Sequence, residues 1–297
     1  MIKKGFFINC YLQRRASPAL DSGILTIMRR LHTHNSKEAP TEYPSRWWKT
    51  LISTFFLVSW IIVMLAVYYL LRLSAPKKLD RFFMCFHRGC CWIFSMRCQT
   101  IGKPCTHRPS LFLGNHISYL DIFVYGSFIP GYFIAKSEVA NWPILGWLAK
   151  VQNTLFFERK GRKVRGQLQV MSEQFEKRGN LILFPEGTST EGEHVEPFKP
   201  SLLQAIEKAD ASVVIQPMTI AYTHYQNRPM SKAMRDHYAW YGTMPFASHF
   251  FHAMGLAKSQ VVVQFHPPVS LDQFNTRKDC AHYCWQQVAS ALPELLS

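Results

Sequence analysis

A histidine and an aspartate stand close together in a polar segment that follows a short apolar run. The run covers Leu111–Gly114, and the next residues read N-H-I-S-Y-L-D, so that His116 and Asp121 are five residues apart. On one regular helix the two side chains would point about 140° apart. If the helix instead begins at Ser118, a good N-cap residue, His116 lies before it and can fold back onto Asp121. This spacing predicts a His–Asp pair.

Such a pair is typical of a general base, because the carboxylate fixes the imidazole tautomer and stabilises its protonated form. No serine or cysteine is spaced to act as its nucleophile, and the G-x-S-x-G motif of many hydrolases is absent. A base without an enzyme nucleophile indicates that His116 activates a hydroxyl group of the substrate. The alternative is that the pair only caps a helix.

Two further polar segments follow predicted strands. Phe184–Thr190 reads F-P-E-G-T-S-T, and a turn with hydroxyl groups at a strand end can form a ligand pocket. Phe156–Lys163 carries a basic cluster in which the guanidinium fork of Arg159 is suited to a phosphate. Each segment alone could equally be an ordinary turn or a solvated basic surface. Nucleotide-binding glycine motifs and the H-E-x-x-H zinc motif are absent.

The elements that must position these residues alternate between short strands and helices. Helical periodicity is clearest over residues 164–175, and Gly179 follows as a stop signal. The pattern predicts an α/β fold, a mixed sheet flanked by helices, with the catalytic domain in residues 102–297. The predicted strands are 110–114, 131–135, 154–158, 181–184, 212–222 and 260–265.

A long uncharged segment precedes this domain. Residues 50–71 hold no charged side chain, and 22 residues of helix measure about 33 Å against about 30 Å of bilayer hydrocarbon. Tryptophans stand at one end and tyrosines at the other, where a membrane interface favours them. Each flank carries five Lys or Arg, so both a span and a helix that re-enters one leaflet remain open.

The sequence therefore predicts a membrane-anchoring helical segment over residues 47–101. Its second part, residues 82–101, is expected to be a partly interfacial helix that runs into the first strand. Residues 1–46 form a basic extension that we expect to be poorly ordered.

Charge and cysteine usage limit the function classes. The net charge is +15, but residues 1–110 carry +13 of it, whereas a nucleic-acid-binding domain would show a positive surface of its own. A basic region beside an apolar helix favours anionic lipid, so no nucleic acid partner is expected. The eight cysteines include no C-x-x-C pair, which indicates free thiols in a reducing compartment and no metal site. We expect the catalytic domain to lie on the cytoplasmic side of a membrane.

Taken together, the motifs resemble the glycerophospholipid acyltransferase family, which contains the 1-acylglycerol-3-phosphate acyltransferases. The resemblance covers roughly residues 80–270. The family's H-x-x-x-x-D motif matches His116…Asp121, its F-x-x-R matches Phe156…Arg159, its F-P-E-G-T matches Phe184–Thr188, and its hydrophobic-Pro element matches Val214–Pro217. Four motifs in order make the match specific.

The resemblance implies direct acyl transfer. His116 would deprotonate an acceptor hydroxyl and Asp121 would hold it, without an acyl-enzyme, a metal or a bound cofactor. The donor would be a thioester of coenzyme A or of acyl carrier protein, and membrane lipids would be the other partners. The oligomeric state does not follow from the sequence.

The resemblance also implies which residues bind the acceptor. Arg159, together with Lys136, would hold an acceptor phosphate. The acceptor pocket would be shaped by Glu186, Gly187 and Thr188.

Two departures from the family pattern fall near the acceptor side. Asn153 stands where the family usually has Gly, and Ser201 stands where Gly often follows F-K-x. The stretches Ala135–Val139 and Trp240–Gly242 are similar to members that acylate lyso-ornithine lipid. The expected acceptor is 1-acyl-sn-glycerol-3-phosphate, giving phosphatidic acid. The alternatives are lyso-ornithine lipid or, in another class, an inactive membrane-tethered lipid-binding protein.

Overall fold

The computed structural model describes residues 45–158, 164–209 and 212–297. Arg159 and nearly all of the 1–46 extension, both named above, lie outside these residues. The strands are β1 (Met96–Ile101), β2 (Ser110–Gly114), β3 (Tyr132–Lys136), β4 (Leu155–Phe157), β5 (Leu181–Leu183), β6 (Val214–Tyr225), β7 (Arg228–Pro229), β8 (Ser259–Phe265) and β9 (Val269–Ser270).

Helices follow or separate these strands. They are α1 (Trp47–Ser74), α2 (Leu79–Ile93), α3 (Leu120–Gly126), α4 (Leu145–Val151), α5 (Val164–Glu176), α6 (Gln204–Glu207), α7 (Lys232–Asp236), α8 (Phe246–Gly255) and α9 (Arg277–Leu296).

The strands form one mixed sheet in the order β1-β8-β6-β2-β5-β3-β4, and β7 and β9 pair with β6. β2 runs parallel to both β5 and β6, and β3 runs parallel to β4 and β5. β6 and β8 are antiparallel. The predicted α/β class with a mixed sheet is confirmed. Because β2, β5, β3 and β4 run the same way, their carboxyl ends meet at one edge of the sheet.

Both faces of the central strands are buried, and this explains their continuous apolar runs. All five residues of β2 are buried. Phe112 belongs to a core with α2, α3 and α8, whereas its neighbours Leu111 and Leu113 belong to a second core with α5 and α9. Alternate residues of one strand thus hold helices on opposite faces of the sheet.

Helix α1 packs against the folded domain along one stripe. Its buried residues, at helical spacing, are Ser53, Leu57, Met64 and Tyr68. Near its start Ser53 Oγ donates to the Met254 carbonyl in α8 at 3.2 Å, and Trp60 Nε1 donates to the Phe86 carbonyl in α2 at 3.1 Å. Most of the large side chains outside this stripe are apolar and exposed. It is long and apolar enough to cross a membrane, by length and composition.

Residues 96–101 differ from the expectation for an anchoring segment. They form β1, which pairs in parallel with β8 from Met96 to Ile101. Helix α2 packs on α3 through the same core as the sheet. The described residues belong to one compact unit, and the expected bounds of the anchoring segment and the catalytic domain stay a prediction. Sequence reasoning missed β1's role because its alternation is short and follows an aromatic-rich helix.

Candidate active site

Four of the predicted site residues line one cavity of about 510 Å³, namely His116, Lys136, Gly187 and Thr188. They come from the carboxyl ends of β2, β3 and β5, which the parallel pairing brings to the same edge. Asp121 and Glu186 do not line the cavity but lie behind it, with 0% and 2% of their surfaces exposed.

His116 and Asp121 are in contact. His116 Nδ1 lies 3.0 Å from Asp121 Oδ2. The same carboxylate oxygen accepts the backbone N–H groups of Ile117 at 2.7 Å and Ser118 at 2.9 Å. These bonds turn the chain sharply between β2 and α3, so that an imidazole before the helix meets a carboxylate in its first turn. Because Nδ1 donates to the carboxylate, Nε2 is the ring nitrogen left to accept a proton.

The expected cap at Ser118 is wrong. Helix α3 begins at Leu120 without a side-chain cap, and Ser118 Oγ is buried with no partner among the described residues. The Asp121 N–H, which a capping hydroxyl at Ser118 would accept, bonds instead to the Ser118 carbonyl at 3.1 Å.

Tyr222 completes the environment of Asp121. Its hydroxyl donates to Asp121 Oδ1 at 2.9 Å, and both residues are buried. β6 runs beside β2 but continues past its end, which brings Tyr222 over the loop that follows Gly114. Four hydrogen-bond donors therefore offset the cost of burying the Asp121 carboxylate and fix its orientation.

Tyr222→Phe is expected to lower turnover about threefold to tenfold, because one of the four bonds that orient the His–Asp pair is lost while the ring packing stays. Steady-state kinetics on saturating substrates measures the effect. Tyr225→Phe, a hydroxyl deletion in the same strand, serves as the matched control. Equal turnover in wild type and Tyr222→Phe would show that the bond has no part in orientation.

The segment from Phe184 to Thr190 hydrogen-bonds to both the N–H and the carbonyl of His116. Glu186 Oε1 accepts the His116 backbone N–H at 2.6 Å, and the Thr190 N–H donates to the His116 carbonyl at 2.9 Å. Glu186 Oε2 accepts the Glu196 backbone N–H at 2.7 Å. The ring of Phe184 stacks on the imidazole, with 4.0 Å between centroids. The turn therefore positions His116.

Glu186 does not line the cavity in this structure. Both of its oxygens bind backbone N–H groups. Burial raises the pKa of Glu186 to about 8, and the bonds from Glu196 and His116 act in the opposite direction. Gly187, by contrast, lines the cavity with a φ of 72°, a left-handed conformation that explains glycine at this turn.

Apolar side chains make up most of the cavity wall. α1 contributes Leu57, Ile61, Met64, Leu65 and Tyr68, and α2 contributes Phe82, Phe83 and Phe86. The cavity thus runs from His116 to α1 and α2. Such a space fits a hydrocarbon chain whose reactive end lies at the imidazole.

Two oppositely charged side chains, Lys136 and Glu138, line the same cavity as His116. Lys136 ends β3, and Glu138 lies in the short 3-10 turn that follows it. Both are exposed. Among the described residues they are the only Lys, Arg, Asp or Glu that line this cavity.

Sequence reasoning missed Tyr222 and Glu138 as site residues. Tyr222 carries no local signal, since its partner lies 101 residues away and only the β2–β6 pairing brings them together. Glu138 lies inside the A-K-S-E-V stretch already noted, and its place two residues after Lys136 was the available signal.

Comparison with known proteins agrees with this geometry. The family model described as Acyltransferase matches residues 97–221. The lyso-ornithine lipid O-acyltransferase of Rhodobacter capsulatus is 36% identical over 208 residues, covering 69% of this chain and 73% of the relative. The 1-acyl-sn-glycerol-3-phosphate acyltransferase of Neisseria gonorrhoeae is 30% identical over 144 residues, covering 48% of this chain and 56% of the relative.

A solved structure shares the fold. The 1-acyl-sn-glycerophosphate acyltransferase PlsC from Thermotoga maritima superposes with a TM-score of 0.60 at 23% identity, covering 84% of this chain and 95% of that one. The family model's range includes the His116–Asp121 pair, the Phe184–Thr188 motif and the Val214–Pro217 element. The chain is therefore a member of the acyltransferase family, an enzyme that acylates lysolipids.

Proposed function

We propose that His116 acts as the general base of direct acyl transfer from a thioester to the free hydroxyl of a lysolipid. The observation that carries the proposal is the imidazole fixed by Asp121 through Nδ1 on the wall of an apolar cavity. Nε2 accepts the acceptor's proton as its oxygen attacks the thioester carbonyl. The C–S bond then breaks, and the proton passes from Nε2 to the leaving thiolate. The scheme uses no metal ion, cofactor or acyl-enzyme.

The proposed place of the acyl chain is the apolar cavity. An acyl chain that enters from the bilayer keeps its methyl end between α1 and α2 and brings its carbonyl to His116. Removing hydrocarbon from water supplies binding energy of about 25 cal/mol per Å². Coenzyme A and acyl carrier protein are both candidate donors, and assays with each thioester separate them.

The acceptor we propose is lyso-ornithine lipid. The ornithine headgroup carries a carboxylate, which Lys136 can pair with, and an ammonium, which Glu138 can pair with; both side chains line the cavity. A phosphate monoester would instead meet an unfavourable negative charge at Glu138. The Rhodobacter relative bears the name of this activity and matches more of the chain than the Neisseria relative does.

Lysophosphatidate, the acceptor that the sequence favours, is the second candidate. Arg159 of the F-x-x-R motif and the Neisseria relative support it. If it is the acceptor, Arg159→Ala raises its KM by roughly 10- to 100-fold, because charge-assisted bonds contribute about 1.5–3 kcal/mol.

Glu138→Gln distinguishes the two acceptors. We expect it to raise KM for lyso-ornithine lipid about twofold to fivefold, since an exposed ion pair contributes up to about 1 kcal/mol. The KM for lysophosphatidate is expected to stay equal or fall. Glu176→Gln, on α5, is the control. Wild-type activity on lysophosphatidate but not on lyso-ornithine lipid would overturn the acceptor assignment.

The enzyme is membrane-associated, and we propose that α1 lies in one leaflet. At 28 residues the helix is about 42 Å long, and it contacts α8 near its start and α2 through Tyr68 and Phe82. A helix that packs on one domain at both ends cannot place those ends on opposite sides of a bilayer. The catalytic domain is proposed to lie on the cytoplasmic side.

Cysteines introduced at the ends of α1 test this topology. Trp47 and Leu73 are 75% and 88% exposed, so Trp47→Cys and Leu73→Cys leave the core intact. In sealed vesicles we expect an impermeant thiol reagent to label both from the same side. Cys85→Ser removes the cysteine that is exposed among the described residues, so that it does not add background labelling. Labelling from opposite sides would establish a span.

A further inference from the structure

A buried polar pair lies in the cavity wall, most of whose side chains are apolar. His87 of α2 and Gln152, which follows α4, both line the cavity. Their exposed fractions are 2% and 8%, so neither side chain reaches bulk water. Burial lowers the pKa of His87 to about 4, which keeps the imidazole neutral at physiological pH.

The pair leaves one polar atom without a partner. The Gln152 amide lies 2.8 Å from His87 Nε2. With the amide N–H donating, the ring proton lies on Nδ1, and Nδ1 is buried with no hydrogen-bonding partner among the described residues. The opposite amide orientation leaves Nδ1 as an acceptor instead. In either case a hydroxyl group satisfies it, because a hydroxyl both donates and accepts.

The ring of His87 is held in place. A Cβ at Gly126 would lie 2.4 Å from its Cδ2, so a glycine at this point of α3 is what admits the imidazole. Ring contacts lead from it to the active site: His87 to Phe133 at 5.9 Å between centroids, Phe133 to Phe184 at 6.5 Å, and Phe184 to His116 at 4.0 Å. His87 therefore lies partway along the cavity, away from the reacting carbonyl.

We propose that His87 and Gln152 form a specificity site for an acyl chain that carries a hydroxyl group. A plain hydrocarbon chain leaves the buried Nδ1 unpaired, whereas a chain hydroxyl at the matching depth pairs with it. This inference rests on the proposed acyl-transfer function and adds a preference to it. The hydroxylated chain belongs to the donor thioester or to the lysolipid, and the experiment separates the two.

The test measures kcat/KM for plain and hydroxylated chains in two arms. One arm varies the acyl thioester, with the hydroxyl moved stepwise along a palmitoyl chain, against a plain lysolipid. The other arm uses a plain palmitoyl thioester and a lysolipid that always keeps its acceptor hydroxyl; a second hydroxyl is moved stepwise along the lysolipid chain, and the lysolipid without it is the plain one. In one arm we expect the wild type to favour one hydroxyl position about tenfold over the plain chain. His87→Phe and Gln152→Leu are each expected to reduce that ratio to about one.

Phe83→Leu, a change of cavity shape without a change of polarity, is the control and should keep the ratio. The inference is overturned if neither arm shows a preference, or if the preference survives both His87→Phe and Gln152→Leu. Transfer between the two plain substrates reports separately on the proposed function. If the wild type transferred no acyl group between the plain substrates, the proposed function would be refuted, whatever the ratio of kcat/KM for hydroxylated and plain chains.

Discussion

Replacing His116 with alanine is expected to lower turnover by about 10²–10⁴-fold, the usual contribution of a positioned general base. The imidazole lies on the cavity wall rather than in either core, so the fold and membrane association should survive. Asp121→Asn should lose nearly as much, because an amide at that position no longer fixes the tautomer or balances the imidazolium.

The double variant shows whether the two residues act as one unit. Losses in His116→Ala and Asp121→Asn should not add, since removing either partner already disables the pair. Turnover of the double variant should therefore equal that of His116→Ala within about threefold. Multiplied losses would contradict the pair. Circular dichroism of each variant serves as the folding control.

The second large effect concerns Glu186. Glu186→Ala removes the acceptor of the His116 and Glu196 backbone N–H groups at 2.6 and 2.7 Å. Because unpaired buried donors are unfavourable, we expect the free energy of unfolding to fall by about 2–4 kcal/mol. Turnover should fall about 10- to 100-fold as His116 shifts from its position.

Glu196→Ala is the matched control for this change. It deletes a neighbouring, half-exposed carboxylate and keeps the backbone N–H that Glu186 accepts. Denaturant titration and saturation kinetics are measured on both variants. The positioning role fails if Glu186→Ala keeps wild-type turnover, or if it raises only the acceptor KM as a residue that binds substrate would.

The sequence predicted much of the fold because the central strands bury both faces and read as continuous apolar runs. β2 was predicted with the bounds that the structure shows, and β5 to within one residue. The His116–Asp121 contact was also predictable, because it needs only a turn between a strand and a helix. These features depend on residues close together in the chain.

Features that depend on long-range pairing were not predictable. Tyr222 contacts Asp121 only because β6 extends beyond the end of β2. Glu186 accepts a hydrogen bond from the backbone N–H of His116, which lies 70 residues away in the sequence. At Asn153, by contrast, the residue differs from the family's usual Gly but the backbone conformation expected of that Gly is kept. Its φ of 57° is left-handed, a conformation that asparagine also tolerates. Motif matching reads residue types and not the direction in which each side chain points.

Thiol release during the first turnover tests most directly whether His116 acts on the acceptor hydroxyl. The wild-type enzyme is mixed rapidly with acyl thioester, in the presence and absence of lysolipid. We expect no stoichiometric thiol without lysolipid, and thiol equal to acylated lipid when lysolipid is present, because the acceptor oxygen itself attacks the carbonyl. A burst of one thiol per enzyme without lysolipid, with the acyl group attached to the protein, would contradict direct transfer.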